Sequence, residues 1–208
     1  MTAVRPVPAD LEGRFIRLTP LTHDDLPDLF AAIGRPEVFA GGYGGGPAGY
    51  RATEAEFVAF AEGYYQWGVG NVYAVRLPDG TLVGTSTMGD FVEANESTHI
   101  GWTAFDPRVW GTAVNPEAKL LMLGLAFDSG FGRVKIQADA LNDRSRAAIT
   151  KLGATFEGIT RHDARRADGS WRDAAVFSVI VDDWPRVKEG LEGRLARFGN
   201  EPVVLAKA

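Results

Sequence analysis

Residues 110–117 (WGTAVNPE) lead from an apolar run through a turn of small residues into an apolar helix. Such a turn leaves several backbone N–H groups without helical partners, and the helix N-terminus adds about half a unit of positive charge there. Pro116 suits the first helical position, since its missing N–H costs nothing at that point. The pattern predicts a cradle for a phosphate-bearing cofactor, and an ordinary capped helix start is the alternative interpretation.

A second segment that could take part in binding or catalysis is residues 142–154 (NDRSRAAITKLGA). Asn142 is a typical helix N-cap, Ser145 lies in the first turn, and Gly153 is a typical C-terminal stop. From the residues alone, Asn142 and Ser145 are either helix-capping groups or polar groups available to a ligand.

A literal G-x-G-x-x-G pattern occurs at Gly44, Gly46 and Gly49. A dinucleotide-binding fold needs a strand before this pattern and a helix after it. No strand is predicted here, and Pro47 interrupts the turn. The chain contains no Gly-Lys-Ser or Gly-Lys-Thr, so a Walker A loop is absent too. The sequence therefore disfavours both a nicotinamide-dependent enzyme and a nucleotide hydrolase.

Length and composition predict one domain over residues 1–208, because 45% of the residues are hydrophobic and no linker or internal repeat is visible. The net charge of −5 argues against nucleic-acid binding. The chain has no cysteine, and His23, His99 and His162 are too scattered for a zinc motif, so we expect no metal. Neither a signal-peptide run nor an apolar stretch of about 18 residues occurs, which predicts a cytoplasmic protein without membrane contact.

Apolar periodicity gives the elements that must position these groups. The predicted strands are residues 14–18, 72–77, 81–86, 97–105, 134–138, 156–162 and 174–180. The predicted helices are residues 24–33, 53–64, 116–127, 143–152 and 184–198. This order predicts an α+β fold, in which helices pack on a mixed sheet.

Together, residues 100–102 (IGW), residues 110–112 (WGT) and Asn142 with Ser145 before Leu-Gly resemble the GNAT acyltransferase superfamily. The likeness covers nearly the whole chain and is greatest to the ribosomal-protein-alanine N-acetyltransferases of the RimJ/RimL type. It implies a central, mostly antiparallel sheet with helices on both faces. It also implies an N-acyltransferase that moves an acyl group, acetyl above all, from acyl-CoA to a primary amine.

The resemblance assigns the cofactor site to the turn, to the end of the predicted strand over residues 97–105 and to the second segment. The superfamily's pyrophosphate motif, Arg/Gln-x-x-Gly-x-Gly/Ala, fits this chain in two registers. The literal register uses Arg108, Gly111 and Ala113. We prefer the register set by a helix beginning at Pro116, which uses Trp110, Ala113 and Asn115, with the Asn115 side chain as a helix cap. The implied acyl-CoA contacts are Phe105, Gly111, Thr112, Ala113, Val114, Asn115 and Asn142.

The implied reaction is direct attack of the amine on the thioester, because a chain without cysteine cannot form a thioacyl-cysteine intermediate. Ser145 is then expected to donate a hydrogen bond to the departing thiolate. His99 is the expected base, since imidazole has an unperturbed pKa near 6.5, and a strand histidine satisfied by a neighbour is the alternative.

The resemblance also places Tyr43, Tyr50 and the surrounding glycines over the amine acceptor as a mobile lid, with His162 on the strand beside it. The acceptor is a protein N-terminus or a small molecule. A CoA-binding regulatory protein without turnover is the alternative function. The C-terminal strands, which we expect to be exposed, favour a homodimer.

Overall fold

The computed structural model of this chain describes residues 2–205. In that part of the chain, eight strands form one sheet in the order β1-β2-β3-β4-β5-β6-β8-β7. The strands are β1 (Leu11–Glu12), β2 (Arg17–Pro20), β3 (Asn71–Arg76), β4 (Leu82–Val92), β5 (Ser97–Phe105), β6 (Arg133–Asp139), β7 (Thr155–Arg165) and β8 (Trp171–Ile180). The helices are α1 (Leu26–Ile33), α2 (Pro36–Ala40), α3 (Glu54–Tyr64), α4 (Val114–Asp128), α5 (Asp143–Leu152) and α6 (Trp184–Ala196).

Neighbouring strands are antiparallel except for β5 and β6, which are parallel and are joined through α4. A parallel pair needs such a crossover, whereas antiparallel neighbours can be joined by short turns, as β3 is to β4 and β7 is to β8. The mostly antiparallel mixed sheet is therefore confirmed.

Two hydrophobic cores are shared between the sheet and different sets of helices. One core contains residues of α4, α5 and α6, including Met122 and Leu191. The other contains residues of α1, α2 and α3, including Leu29 and Phe57. Helices thus cover both faces, as predicted.

The predicted start of the fourth helix at Pro116 is wrong, because α4 begins at Val114. Thr112 Oγ1 accepts a hydrogen bond from the Val114 N–H at 3.3 Å, and Glu117 N–H donates to the Ala113 carbonyl at 3.0 Å. Proline is tolerated at the third helical position because the first N–H groups of a helix have no intrahelical acceptor. The proposed cap by Asn115 is also wrong, since Asn115 lies inside the first turn and Ala113 occupies the cap.

The predicted strand over residues 14–18 begins later, at Arg17. The preceding backbone N–H groups are taken by a buried carboxylate, that of Glu117. Its two oxygens accept from the N–H groups of Arg14 at 2.8 Å, Phe15 at 2.6 Å and Ile16 at 2.8 Å. This contact fixes the start of α4 against the N-terminal segment.

Candidate functional site

The site is a cavity where β5 and β6 separate. Their pairing covers only three residues of each strand and ends at His99 and Lys135. Beyond that point a cavity of about 290 Å³ lies between residues 100–105 of β5 and residues 136–139 of β6. Its remaining walls are the start of α4, the start of α5 and the loop after α2. The strand edges facing it are free to hydrogen bond a ligand lying between them.

The N-terminus of α4 offers unpaired donors to this cavity. Among the described residues, the N–H groups of Gly111, Ala113 and Asn115 have no hydrogen-bond acceptor. Gly111 has a φ of +80°, a conformation that favours glycine, and a Cβ there would meet open space. The predicted cofactor residues Phe105, Gly111 and Asn115 line the cavity, whereas Thr112, Ala113 and Val114 are next to them in the chain and are not part of the lining. Free N–H groups at the start of a 15-residue helix fit a phosphate.

The observed helix start changes the register of the pyrophosphate motif. The preferred register was tied to a helix beginning at Pro116, and α4 begins two residues earlier. Moving the motif by two residues places it on Arg108, Gly111 and Ala113. The literal register is therefore the one that agrees with the helix position.

Asn142 and Ser145 both line the cavity, and Asn142 also caps α5. Asn142 Oδ1 accepts from the Ser145 N–H at 2.9 Å, and the Asn142 side-chain amide donates to the Gly41 carbonyl. The capping role foreseen as an alternative is thus present. It uses the Ser145 backbone and leaves the hydroxyl for other contacts.

His99 is buried beside the cavity without lining it. Its Nδ1 lies 3.0 Å from Asp90 Oδ2, and its Nε2 is buried with no partner among the described residues. A Cβ on Gly101 would lie 2.7 Å from Cε1 of the imidazole, so the ring lies against this cavity-lining glycine. Burial lowers the pKa of His99 below 6.5, although the hydrogen bond to Asp90 opposes that shift. The same contact lowers the pKa of Asp90 to about 2.

Lys119 of α4 is a cavity residue that the sequence reasoning missed. Its side chain is buried, and Nζ donates to Thr103 Oγ1 at 2.9 Å and to Ser86 Oγ at 3.2 Å. Burial lowers its pKa from 10.5 to about 7. The signal was available: Lys119 occurs in an apolar helix, three and four residues before the buried Met122 and Leu123.

A further part of the lining, here called the acceptor side, comes from elements other than α4 and α5 and consists of Tyr43, Tyr64, Trp102, Gln137 and Arg172. The hydroxyls of Tyr43 and Tyr65 hydrogen bond to each other, and burial raises the pKa of both. Residues 43–45 and 47–49 form short 3-10 turns packed among aromatic rings. The glycine-rich loop is therefore more ordered than its composition suggested.

Two predicted acceptor residues lie outside the cavity lining. Tyr50 packs edge-on against Phe39, with ring centroids 5.6 Å apart. His162 is exposed and stacks on Trp171 at a centroid distance of 4.7 Å. The structure therefore brings Tyr43 to Asn142 and Ser145, and leaves Tyr50 and His162 apart from them.

Residues 2–205 hold no helix long and apolar enough to cross a membrane. Within the same residues, no three side chains of the His, Cys, Asp or Glu type are grouped as they would be around a metal ion.

A family model described as an acetyltransferase (GNAT) domain matches residues 16–155. A candidate acetyltransferase from T. thermophilus has 33% sequence identity and a TM-score of 0.83, over 92% of this chain and 100% of that one. A GCN5-related N-acetyltransferase from Brucella melitensis has 28% identity and a TM-score of 0.83, over 93% of this chain and 88% of that one. No curated protein matches significantly.

Mycobacterium smegmatis RimJ, solved in complex with CoA-disulfide, shares the fold with a TM-score of 0.70 at 19% identity. That match covers 86% of this chain and 88% of RimJ.

Proposed function

The chain belongs to the acetyltransferase (GNAT) domain family, and from that premise we propose that it transfers an acyl group from acyl-CoA to a primary amine. The observation that carries the proposal is the cavity between β5 and β6, which meets the unpaired N–H groups of α4 at one end. An extended arm can pair with separated strand edges while its phosphates lie at the helix N-terminus.

For the cosubstrate we propose acetyl-CoA or another acyl-CoA. Gly111 and Asn115 would hold the pyrophosphate through backbone N–H groups, and β5 up to Phe105 would pair with the pantetheine amides. The Asn142 side chain lies on the same wall and would contact the arm. When bound, the cosubstrate supplies a thioester, whose carbonyl carbon is the electrophile.

The chain's own residues would then take one proton and stabilise the leaving group. Ser145 lines the cavity, and its hydroxyl would donate a hydrogen bond to the leaving sulfur. Neutral His99 would take the proton of the acceptor ammonium, with Asp90 fixing its Nδ1. Gly101 lies between His99 Nε2 and the cavity, so the acceptor amine would have to approach Nε2 beside this glycine, which has no side chain to block it.

The acceptor would enter on the acceptor side, where Tyr43 and Arg172 form part of the wall. We propose a primary amine there, either a protein N-terminus or a small molecule, as in the RimJ/RimL branch. Contacts from Tyr50 and His162 would require a large acceptor, because both lie outside the cavity. A homodimer and a cytoplasmic location stay predictions.

One observation favours the alternative, a CoA-binding protein without turnover: His99 does not line the cavity.

Calorimetry with CoA and acetyl-CoA tests binding, and absence of binding to both would refute both functions. Release of free thiol in the presence of amines and N-terminal peptides tests turnover. Binding without thiol release across that panel would support the alternative.

Ser145→Ala separates catalysis from helix capping. If Ser145 acts on the leaving sulfur, kcat falls at least about tenfold while CoA binding changes little. Thr150→Ala, an exposed change on the same helix, is the matched control and should alter neither quantity. Equal losses in kcat and CoA affinity for Ser145→Ala would reduce Ser145 to a structural residue.

A further inference from the structure

Lys119 is a buried amine without a carboxylate partner. It takes part in none of the ion pairs formed by residues 2–205. Its two partners, Ser86 and Thr103, are neutral hydroxyls that also hydrogen bond to each other at 2.7 Å. An ammonium group has three donors, so one remains for a ligand in the cavity.

The cavity lining as a whole is positively charged, although the chain has a net charge of −5. Lys119, Arg144 and Arg172 contribute to the lining, and Asp139 is its one carboxylate among the described residues. Asp139 is already paired with Arg166, and Arg172 is paired with Asp163. The lining therefore holds no free carboxylate to neutralise Lys119.

The phosphates of CoA do not explain this charge. Lys119 lies five residues beyond Val114, which corresponds to roughly 8 Å along the helix from its N-terminus. Its partners Ser86 and Thr103 belong to β4 and β5, so the amine faces the middle of the sheet rather than the turn at Gly111. An anion that pairs with Lys119 would therefore come with the reacting end of a substrate rather than with the CoA phosphates.

We propose that Lys119 binds a carboxylate that one of the two substrates brings into the cavity. This inference rests on the proposed acyltransfer function and narrows its substrates. The carboxylate belongs either to the acyl group, as in succinyl-CoA or malonyl-CoA, or to the amine acceptor, as in an amino acid. In both cases the ammonium gains the counterion that the chain does not provide.

Such binding must be linked to proton uptake. Burial lowers the pKa of Lys119 to about 7, so at pH 8 most of the free protein carries a neutral amine. A bound carboxylate favours the charged form and raises that pKa again. Each carboxylate bound to Lys119 at pH 8 should therefore take up close to one proton from the buffer.

The first experiment is calorimetry on the wild-type protein at pH 8 in two buffers of different ionisation enthalpy. Acetyl-CoA, succinyl-CoA and malonyl-CoA are titrated separately, and amino acids and their amines lacking the carboxylate are titrated into the protein with CoA. Uptake of at least half a proton, confined to carboxylate-bearing ligands, supports the proposal and shows which substrate carries the group. CoA binding without proton uptake by any carboxylate overturns it and leaves the acyltransferase function standing. No CoA binding would instead refute the function itself.

The second experiment uses Lys119→Met, with Lys151→Met on the exposed surface of α5 as the matched control. In Lys119→Met, the ratio of kcat/KM for carboxylate-bearing over carboxylate-free substrates should fall at least about tenfold. Lys151→Met should keep both the ratio and the proton uptake. Loss of activity on every substrate with an unchanged ratio would overturn the proposal, because it would make Lys119 a general base or a structural group.

Discussion

Glu117 and Lys119 lie two residues apart on α4, and both bury a charged side chain. Two residues rotate a side chain by roughly 200° around the helix axis, so the two face nearly opposite ways. The Glu117 carboxylate accepts three backbone N–H groups of the N-terminal segment. Lys119 donates to two hydroxyls at the cavity.

The difference separates a structural charge from a functional one. A carboxylate satisfied by backbone donors stabilises the fold, and Glu117 does not line the cavity. A buried ammonium held only by neutral hydroxyls destabilises the folded protein unless an anion binds. Burial alone therefore does not tell whether a charged side chain is structural or functional; its hydrogen-bond partners do.

The largest expected effect comes from Glu117→Ala. Removing the carboxylate takes the acceptor from three N–H donors, of which those of Phe15 and Ile16 are buried, so we expect the free energy of unfolding to fall by about 3–5 kcal/mol. Urea unfolding measures it, and Glu189→Ala on the exposed face of α6 should change stability by no more than about 0.5 kcal/mol. A loss below about 1 kcal/mol for Glu117→Ala would remove the contrast with Lys119. If Glu117→Ala does not fold, Glu117→Gln should show a smaller loss in the same direction.

Lys119 should make stability depend on pH. Below pH 7 this lysine is protonated in both the folded and the unfolded chain. Between pH 7 and about 10 the unfolded chain, with its pKa near 10.4, binds a proton that the folded chain does not bind. The unfolding free energy of the wild type minus that of Lys119→Met should thus rise with pH, by up to about 1.4 kcal/mol per unit. A flat difference between pH 7 and 9 would show that Lys119 keeps an ordinary pKa.

Thr103→Val probes the hydroxyl that supports this amine. Hydrogen bonds to charged groups contribute about 1.5–3 kcal/mol, against about 0.5–1.5 kcal/mol for neutral ones. Thr103→Val should therefore lower the unfolding free energy by about 1 kcal/mol more at pH 6, where Lys119 is charged, than at pH 9. Thr98→Val is the control, because Thr98 Oγ1 donates to the Gly89 carbonyl at 2.8 Å and its cost should not change with pH. Equal costs at both pH values for Thr103→Val would mean that the amine does not change its charge between pH 6 and pH 9.

The order of strands and helices was predictable because apolar periodicity and turn residues act locally. The start of α4 was mispredicted although its causes are local. The Thr112 side chain accepts from the Val114 N–H, and Pro116 is tolerated at the third helical position rather than only at the first. The strand predicted from Arg14 was displaced for a different reason. Its N–H groups bond to a glutamate about a hundred residues away, which no local pattern reveals.

The candidate site was predictable in part for the same reason. Asn142, Ser145 and Gly111 belong to local motifs, and all three line the cavity. Lys119 belongs to no motif. Its amine donates to hydroxyls on β4 and β5, and these come close to it only when the sheet has formed. His99 was predicted by residue type, and the backbone path of β5 decided that Gly101, rather than its ring, forms the wall.

The smallest effect is expected where solvent reaches a charge pair. Arg133 and Glu157 form two hydrogen bonds, at 2.5 and 2.6 Å, with about a third of each side chain exposed. Arg133 lowers the pKa of Glu157 to about 2. Solvent screening nevertheless limits the expected cost of Arg133→Ala to less than about 1 kcal/mol at pH 7. The folded pKa of Glu157 is depressed, so this contribution is present above pH 4.5 and is lost as the pH falls towards 2. Urea unfolding of the wild type and of Arg133→Ala at pH 7 and pH 3 measures this contribution. A loss of unfolding free energy as large as that of Glu117→Ala would mean that the number of hydrogen-bond partners, and not burial, sets how much each carboxylate stabilises the fold.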